Sequence, residues 1–342
     1  MKTSRSSAFW TVAMAATALS VPSLMKRGDS SGFFLCIANS LQKGEWVCST
    51  EVLKIDIGIV SKVEVKPLTI ELNPPGGAPF SISSTNLQAN VLQPPSPFPA
   101  WPLTHSRERA TLEFKGGDIA TFVTAMSPTK VEGSKVLTDF PRTDLAIVVG
   151  EEAGFSKFIA ELLETPAVDF RLKGTLDATL KAMGGFPPKL TDFNIEGLAF
   201  NSPITLVGCN SFQGIKFSKL VSFTQDPKSK NFVLTADVTI DNKSDLVLKL
   251  GDLRFETRDS ANITIGTTVF KDFSLKKGPN EVRATTTTNV PNPDELLKVL
   301  TKDSVFKFWG YKNSSDSTIL ANGLLDFKVE VVIPALPGPS TP

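Results

Sequence analysis

The 342-residue sequence is poor in the residues that most active sites use, with one histidine, three cysteines and one tyrosine. Zinc sites and most nucleophile–base pairs draw on histidine and cysteine, and His105 has no identifiable partner. Neither a GxSxG elbow, a phosphate-binding glycine loop nor an HExxH helix is present. We therefore predict that the protein is not an enzyme and has no catalytic residues, metal site or cofactor. A hydrolase working through carboxylates is the remote alternative, for which the sequence offers no positioned pair.

An excess of either charge is also lacking. Lysine and arginine total 36 against 35 aspartates and glutamates, which gives a net charge of +1. Such a chain has no overall positive field to hold a polyanion, so we predict no nucleic-acid partner. Hydrophobic residues make up 41% of the chain and charged residues 21%, which is typical of a folded globular protein.

The N-terminus has the features of a secretory signal. Lys2 and Arg5 precede an apolar run over residues 8–19, Ala16-Thr17-Ala18 provides a small-x-small cleavage pattern, and the Lys26-Arg27 pair resembles a processing site of fungal secretory proteins. These features predict a signal peptide and pro-segment over residues 1–27. The alternative is an uncleaved anchor, since the stretch from Ala8 to Met25, about 18 residues, is at the short edge of a membrane span. Only in that case do we expect membrane attachment.

Other features fit passage through the secretory route. Cys36 and Cys48 enclose a short loop that an oxidising compartment could close as a disulfide, and Cys209 is predicted to be a small buried hydrophobe. Three sequons are potential N-glycosylation sites, at Asn242, Asn262 and Asn313. We predict a monomer that is secreted or resides in the vacuole lumen, the alternative being a single-pass membrane protein with lumenal or extracellular domains.

Strand patterns dominate the rest of the chain. Apolar residues alternate with polar ones over residues 53–59 and 232–240, and turn-forming residues separate many such short segments. This pattern predicts a mainly β protein made of two tandem antiparallel β-sandwich domains, each with one short amphipathic helix. We place the domains at residues 45–185 and 189–335, with a disordered tail over residues 336–342.

A strand–helix–strand pattern occurs twice, over residues 144–174 and 281–310, at an offset of 138 residues. The apolar helix positions of the two copies have the spacing of one helix face, and they are Phe155, Phe158, Ile159, Leu162, Leu296, Leu297 and Leu300. Each helix could cover the mouth of an apolar groove, or its apolar face could complete a closed core. A separate candidate for contact with a partner or membrane is the proline-rich segment 94–102, with Phe98 and Trp101, although such aromatic side chains also pack onto their own domain.

Two segments carry a family resemblance: GFSKFIAELLETPAVDFRLKGTLDATL and VLTADVTIDNKSDLVLKLGDLRFETRDSANITIGTTVFKDFSLKKGPNEV. The chain resembles, over about residues 50–335, an uncharacterised fungal family of vacuolar and secretory-pathway proteins related to the group 2 late embryogenesis abundant domain. The resemblance implies a fibronectin-like sandwich in each half and suggests lipid binding. The chain departs from the family in its cleavable N-terminal segment and in Asn242-Lys243-Ser244, where Asn-Pro-Ser is common.

We therefore expect a non-enzymatic secretory-pathway protein that binds lipid, another apolar ligand or a protein partner. The alternative is a structural cell-surface or wall-associated module that uses residues 94–102 for adhesion.

Overall fold

The computed structural model describes residues 60–65, 67–73, 77–91, 103–180, 193–289, 294, 300 and 302–336. The first strands are β1 (Val60–Val65), β2 (Leu68–Leu72), β3 (Phe80–Val91), β4 (Leu103–Phe114), β5 (Gly117–Val123), β6 (Ser127–Glu132), β7 (Lys135–Ile147), β8 (Ala167–Leu180) and β9 (Phe193–Val207). The later strands are β10 (Lys216–Gln225), β11 (Phe232–Asn242), β12 (Leu246–Arg258), β13 (Thr264–Leu275), β14 (Gly278–Thr288), β15 (Ser304–Trp309) and β16 (Lys328–Ile333). Helix α1 (Glu152–Glu164) joins β7 to β8, and α2 (Thr318–Gly323) precedes β16. The predicted mainly β class is confirmed.

The strand order is the same in two successive parts of the chain. In the first unit, residues 60–207, the strands lie in the order β1-β3-β7-β5-β4-β8-β9. In the second unit, residues 216–336, the order β10-β11-β14-β13-β12-β15-β16 repeats it, while β6, which pairs with β4 and β7, has no counterpart among the described strands. This repetition agrees with the duplicated pattern in the sequence.

The two units are nevertheless joined. β2, which has no counterpart in the described part of the second unit, pairs with β3 on one side and with β12, in parallel, on the other. Leu68 N donates to Asp245 O at 2.8 Å across this junction, and the buried side chains form one continuous cluster. The division into two independent domains therefore stays a prediction, and its proposed join at residues 186–188 lies outside the described residues.

The sheet of the first unit closes on itself. Its first and last strands in the spatial order approach each other, where Val63 N donates to Ser202 Oγ at 3.1 Å. In β4 and β7, buried residues, most of them apolar, alternate with exposed or half-buried residues that are mainly polar, as a sheet with one buried face requires. The inward faces consequently surround a single interior space.

Helix α1 lies between the two units. Its apolar stripe is buried, as the periodicity predicts, and it ends at Thr165 because Pro166 forces the preceding residue into an extended conformation. The side chain of Ser156 donates to Ile319 O of α2 at 3.0 Å. The sequence analysis does not predict α2. Among the described residues, none of the helices combines the length and apolar character needed to cross a bilayer.

Candidate apolar cavity

The first unit contains a cavity of about 130 Å³. Its walls are the inward side chains of β1 to β5 and β7 to β9, and α1 covers one end. Nearly all of these side chains are aliphatic or aromatic. An apolar cavity of similar size, about 150 Å³, stays dry and binds benzene in an engineered protein, so the size and lining suit a small apolar guest.

Three residues of α1 close this end of the cavity. Phe155, Phe158 and Ile159 are all almost fully buried and line it. The Phe158 ring packs against Phe114 and Phe170, each with a centroid separation of 5.4 Å and an edge-on geometry. Such aromatic contacts hold the helix against the sheet.

Polar side chains gather where β4, β6 and β7 begin. Glu108 and Phe114 are on the same face of β4, six residues apart, which at about 3.4 Å per residue is roughly 20 Å. Phe114 contacts α1, whereas Glu108 belongs to a group of cavity-lining polar residues with Ser106, Thr124 and Thr138. These polar residues lie at the end of the cavity away from α1, but their polar atoms contribute very little to its surface, which is almost entirely apolar.

The second unit has almost no equivalent space. Among the described residues of this unit, the void in the interior measures about 10 Å³, which is about the minimum for one water molecule. Six phenylalanines fill the interior: Phe212, Phe255, Phe270, Phe273, Phe308 and Phe327. Neighbouring rings have centroid separations of 5.5–5.9 Å, which is close packing for aromatic side chains.

The predicted helix-face residues have different positions. Leu162 is buried but is not among the residues that line the cavity, and its place on an apolar groove stays a prediction. The Leu162 carbonyl accepts from Cys209 N at 2.8 Å, and Cys209 belongs to the segment between β9 and β10 that links the two units. Leu300 is buried and lines neither void. Leu296 and Leu297 lie outside the described residues, as do Phe98 and Trp101.

The cysteine predictions are tested in one case. Cys209 is buried, and burial raises the pKa of its thiol to about 12, although a contact of 3.6 Å to Ser244 Oγ opposes the shift. A thiol this far from ionisation is a poor nucleophile. Its predicted role as a small buried hydrophobe is confirmed, and Cys36 and Cys48 lie outside the described residues.

The three sequons differ in accessibility. Asn242 is 2% exposed, and its Nδ2, the atom that would carry a glycan, donates to Leu246 O at 2.8 Å and Lys276 O at 3.3 Å. The folded protein thus has no room for a glycan at this site. Asn262 and Asn313 are exposed and stay candidate sites.

The sequence analysis missed Glu108. The only available signal was the alternation in β4, which places Glu108 on the same face as Ala110, Leu112 and Phe114. The nearby His105 is exposed on the outward face of β4. The one side-chain hydrogen bond described for it joins its Nδ1 to Thr104 Oγ1, at 3.2 Å. Within the described ranges, histidine, cysteine and carboxylate side chains form no group of three or more suited to a metal ion.

Residues 120–257 match the family model described as a protein of unknown function, DUF3712. The matched segment runs from β5 to β12 and crosses the predicted join between the two halves. No match was found among curated proteins. The similarity to this family of unknown function covers less than half of the 342 residues.

Proposed function

We propose that the protein is a non-enzymatic binding protein that takes up a small apolar molecule, or the end of one aliphatic chain, in the cavity of the first unit. The observation that supports the proposal is the cavity of about 130 Å³ with its mainly apolar lining. Closely packed interiors normally contain few voids larger than a water molecule. A void of this size costs the protein stability, and a ligand that fills it restores the lost contacts.

The size of the cavity limits the ligand. Sites for drug-sized molecules are about 300–1,000 Å³, well above the volume here. The cavity is close to the size that admits benzene. The expected guest is one small ring or about six carbons of a single chain, and a lipid with two chains is too large to enter whole.

The site of action that we propose is the lumen of the secretory pathway or the cell exterior. Support comes from the N-terminal charged and apolar pattern of residues 1–27 and from the exposure of Asn262 and Asn313. The resemblance to lumenal proteins suggested to bind lipid agrees with the cavity. The alternative of a wall-associated module rests on residues 94–102, of which no structure is described.

Two measurements on the full chain test the proposal. Native mass spectrometry of the purified protein should show a bound apolar molecule, and protein freed of it should take up toluene, measured by calorimetry. Protein that carries no apolar molecule and takes up no toluene would contradict the proposal.

A cavity-filling variant locates the bound toluene. Ala110 is buried and lines the cavity, so Ala110→Leu adds three carbons to the space that the guest needs. Loss of about two methylene groups of burial, at roughly 0.8 kcal/mol each, predicts a toluene affinity about tenfold lower. The matched control is Thr111→Leu, on the opposite face of the same strand. Equal affinities in both variants would place toluene outside the cavity.

A further inference from the structure

Among the described residues that line the cavity, one is charged. Glu108 is half-buried on the inward face of β4 and lies in the same row as Ala110 and Leu112. A carboxylate in an apolar space is costly unless hydrogen bonds or an opposite charge compensate it. The hydrogen bonds and charges around Glu108 therefore show which interactions a ligand could add.

Hydroxyl groups hold this carboxylate. Ser106 Oγ donates to Glu108 Oε1 at 3.1 Å, and Thr124 Oγ1 donates to Oε2 at 2.7 Å. Thr129 Oγ1 in turn donates to Ser106 Oγ at 3.0 Å. Ser106, Thr124 and Thr129 are almost fully buried, so the carboxylate is held in place at the end of the cavity away from α1.

The neighbouring arginines do not neutralise Glu108. Arg107 and Arg109 lie on the outward face of β4, and their Nη2 atoms pair with Asp177 Oδ2 at 2.6 and 2.9 Å. Within the part of the chain that the structure describes, Glu108 forms no ion pair with a lysine or arginine. Each carboxylate oxygen accepts one hydroxyl hydrogen bond, whereas an ionised carboxylate has about four acceptor sites in all. Acceptor capacity is therefore left for a ligand.

We propose that Glu108 determines specificity by selecting single-chain amphiphiles whose head group donates hydrogen bonds, with an ammonium group preferred over a hydroxyl group. This inference rests on the proposed binding of an apolar guest, whose chain would lie toward α1 with its head at Glu108. A protonated amine supplies both a hydrogen bond and the opposite charge. A ligand carboxylate would bring a like charge to Glu108 and is disfavoured.

The test uses hexylamine, hexanol and hexanoate at neutral pH, with toluene as the apolar reference. All three amphiphiles carry the same six-carbon chain, so calorimetry on the full chain isolates the contribution of the head group. Hydrogen bonds to charged groups contribute enough for hexylamine to bind roughly ten- to a hundredfold more tightly than hexanoate, with hexanol between them.

The variant Glu108→Gln keeps the shape of the side chain but removes its charge, and it should bring the affinities for hexylamine and hexanoate to within about threefold of each other. Its matched control is Glu113→Gln. Glu113 is on the outward face of the same strand, where it pairs with Lys173 at 3.1 Å, so this variant should keep the wild-type ratio.

The outcomes separate the two proposals. Toluene binding with equal affinities for hexylamine and hexanoate in the wild type would overturn the role of Glu108 and leave the apolar site standing. An unchanged ratio in folded Glu108→Gln would overturn it as well. Absence of binding by toluene and all three amphiphiles would overturn the proposed function itself. Should Glu108→Gln not fold, the wild-type order of affinities decides the question.

Discussion

The two units share a strand order but differ in how their interiors are filled. The first encloses about 130 Å³ and the second only about 10 Å³. Strand order and register fix where the inward positions are, but the volume of the side chains at those positions decides whether space remains. The same topology has therefore produced an open interior in one unit and a closed one in the other.

The side chains at these positions explain the difference. Six phenylalanines line each interior, but the first cavity is also lined by the small residues Ala89, Ala110, Ala178 and Ser106, whereas the described residues around the second void include none so small. In the interior of the second unit, phenylalanines from several strands pack together. Phe327, which follows α2, and Phe212, from the 3₁₀ turn at Asn210–Phe212, pack with them. We infer that the first unit gives up packing energy for binding capacity and that the second supplies stability.

The largest expected effect comes from matched leucine truncations in the two interiors. Leu253 is 2% exposed within the filled core, so Leu253→Ala should lower the free energy of unfolding by about 3–5 kcal/mol. Leu176 lines the cavity and is only half-buried, so Leu176→Ala removes fewer contacts and should cost about 1–2 kcal/mol. Urea titration of both variants measures the difference. Equal losses would show that the two interiors are packed alike.

Alanine-to-leucine substitutions should also change the free energy of unfolding differently in the two units, but by a smaller amount than the leucine truncations. Ala284 is buried beside Phe270 in the filled core, and Ala284→Leu should cost about 1–3 kcal/mol because it overpacks that core. Ala110→Leu fills existing space and should leave the free energy of unfolding unchanged or raise it by up to about 1 kcal/mol. The same titration provides the readout, and a clear destabilisation by Ala110→Leu would argue against an open cavity.

The smallest effect concerns the contact through which the second unit supports the cavity. A Cβ at Gly323 of α2 would lie 2.9 Å from Ser156 O and 3.2 Å from Ile159 Cγ2, so Gly323→Ala should displace α1 and cost about 1 kcal/mol. Ile159 lines the cavity, so weaker toluene binding should accompany the loss of stability. The control is Asn322→Ala, at an exposed position of the same helix. Unchanged toluene affinity in Gly323→Ala would show that the cavity is insensitive to this contact.

Periodicity predicted much of the fold but only part of the site. It correctly identified the buried faces of α1 and of the strands, because Phe158 and Phe170 follow the spacings of a helix and a strand. It could not separate Leu162 from Phe158, since both lie on one apolar stripe and only the packing shows that Phe158 lines the cavity and Leu162 does not. Helix α2 was missed because six residues, Thr318–Gly323, are too few to show a helical period.

Glu108 illustrates a different limit. Alternation places it on the inward face of β4, yet an inward carboxylate has no meaning until the space and the hydroxyl groups around it are known. Ser106 is two residues away, but Thr124 and Thr129 come from other segments of the chain. Their convergence on one carboxylate is a consequence of strand pairing.

The sequence by itself determined the β class, the duplicated strand–helix–strand pattern and the buried face of α1, because each follows from residues close together along the chain. Only the tertiary structure decided that one unit is open and the other filled. Free volume is what remains after side chains from eight strands and a helix have been packed together. This volume depends on side chains that are far apart along the chain, so no local pattern in the sequence predicts it.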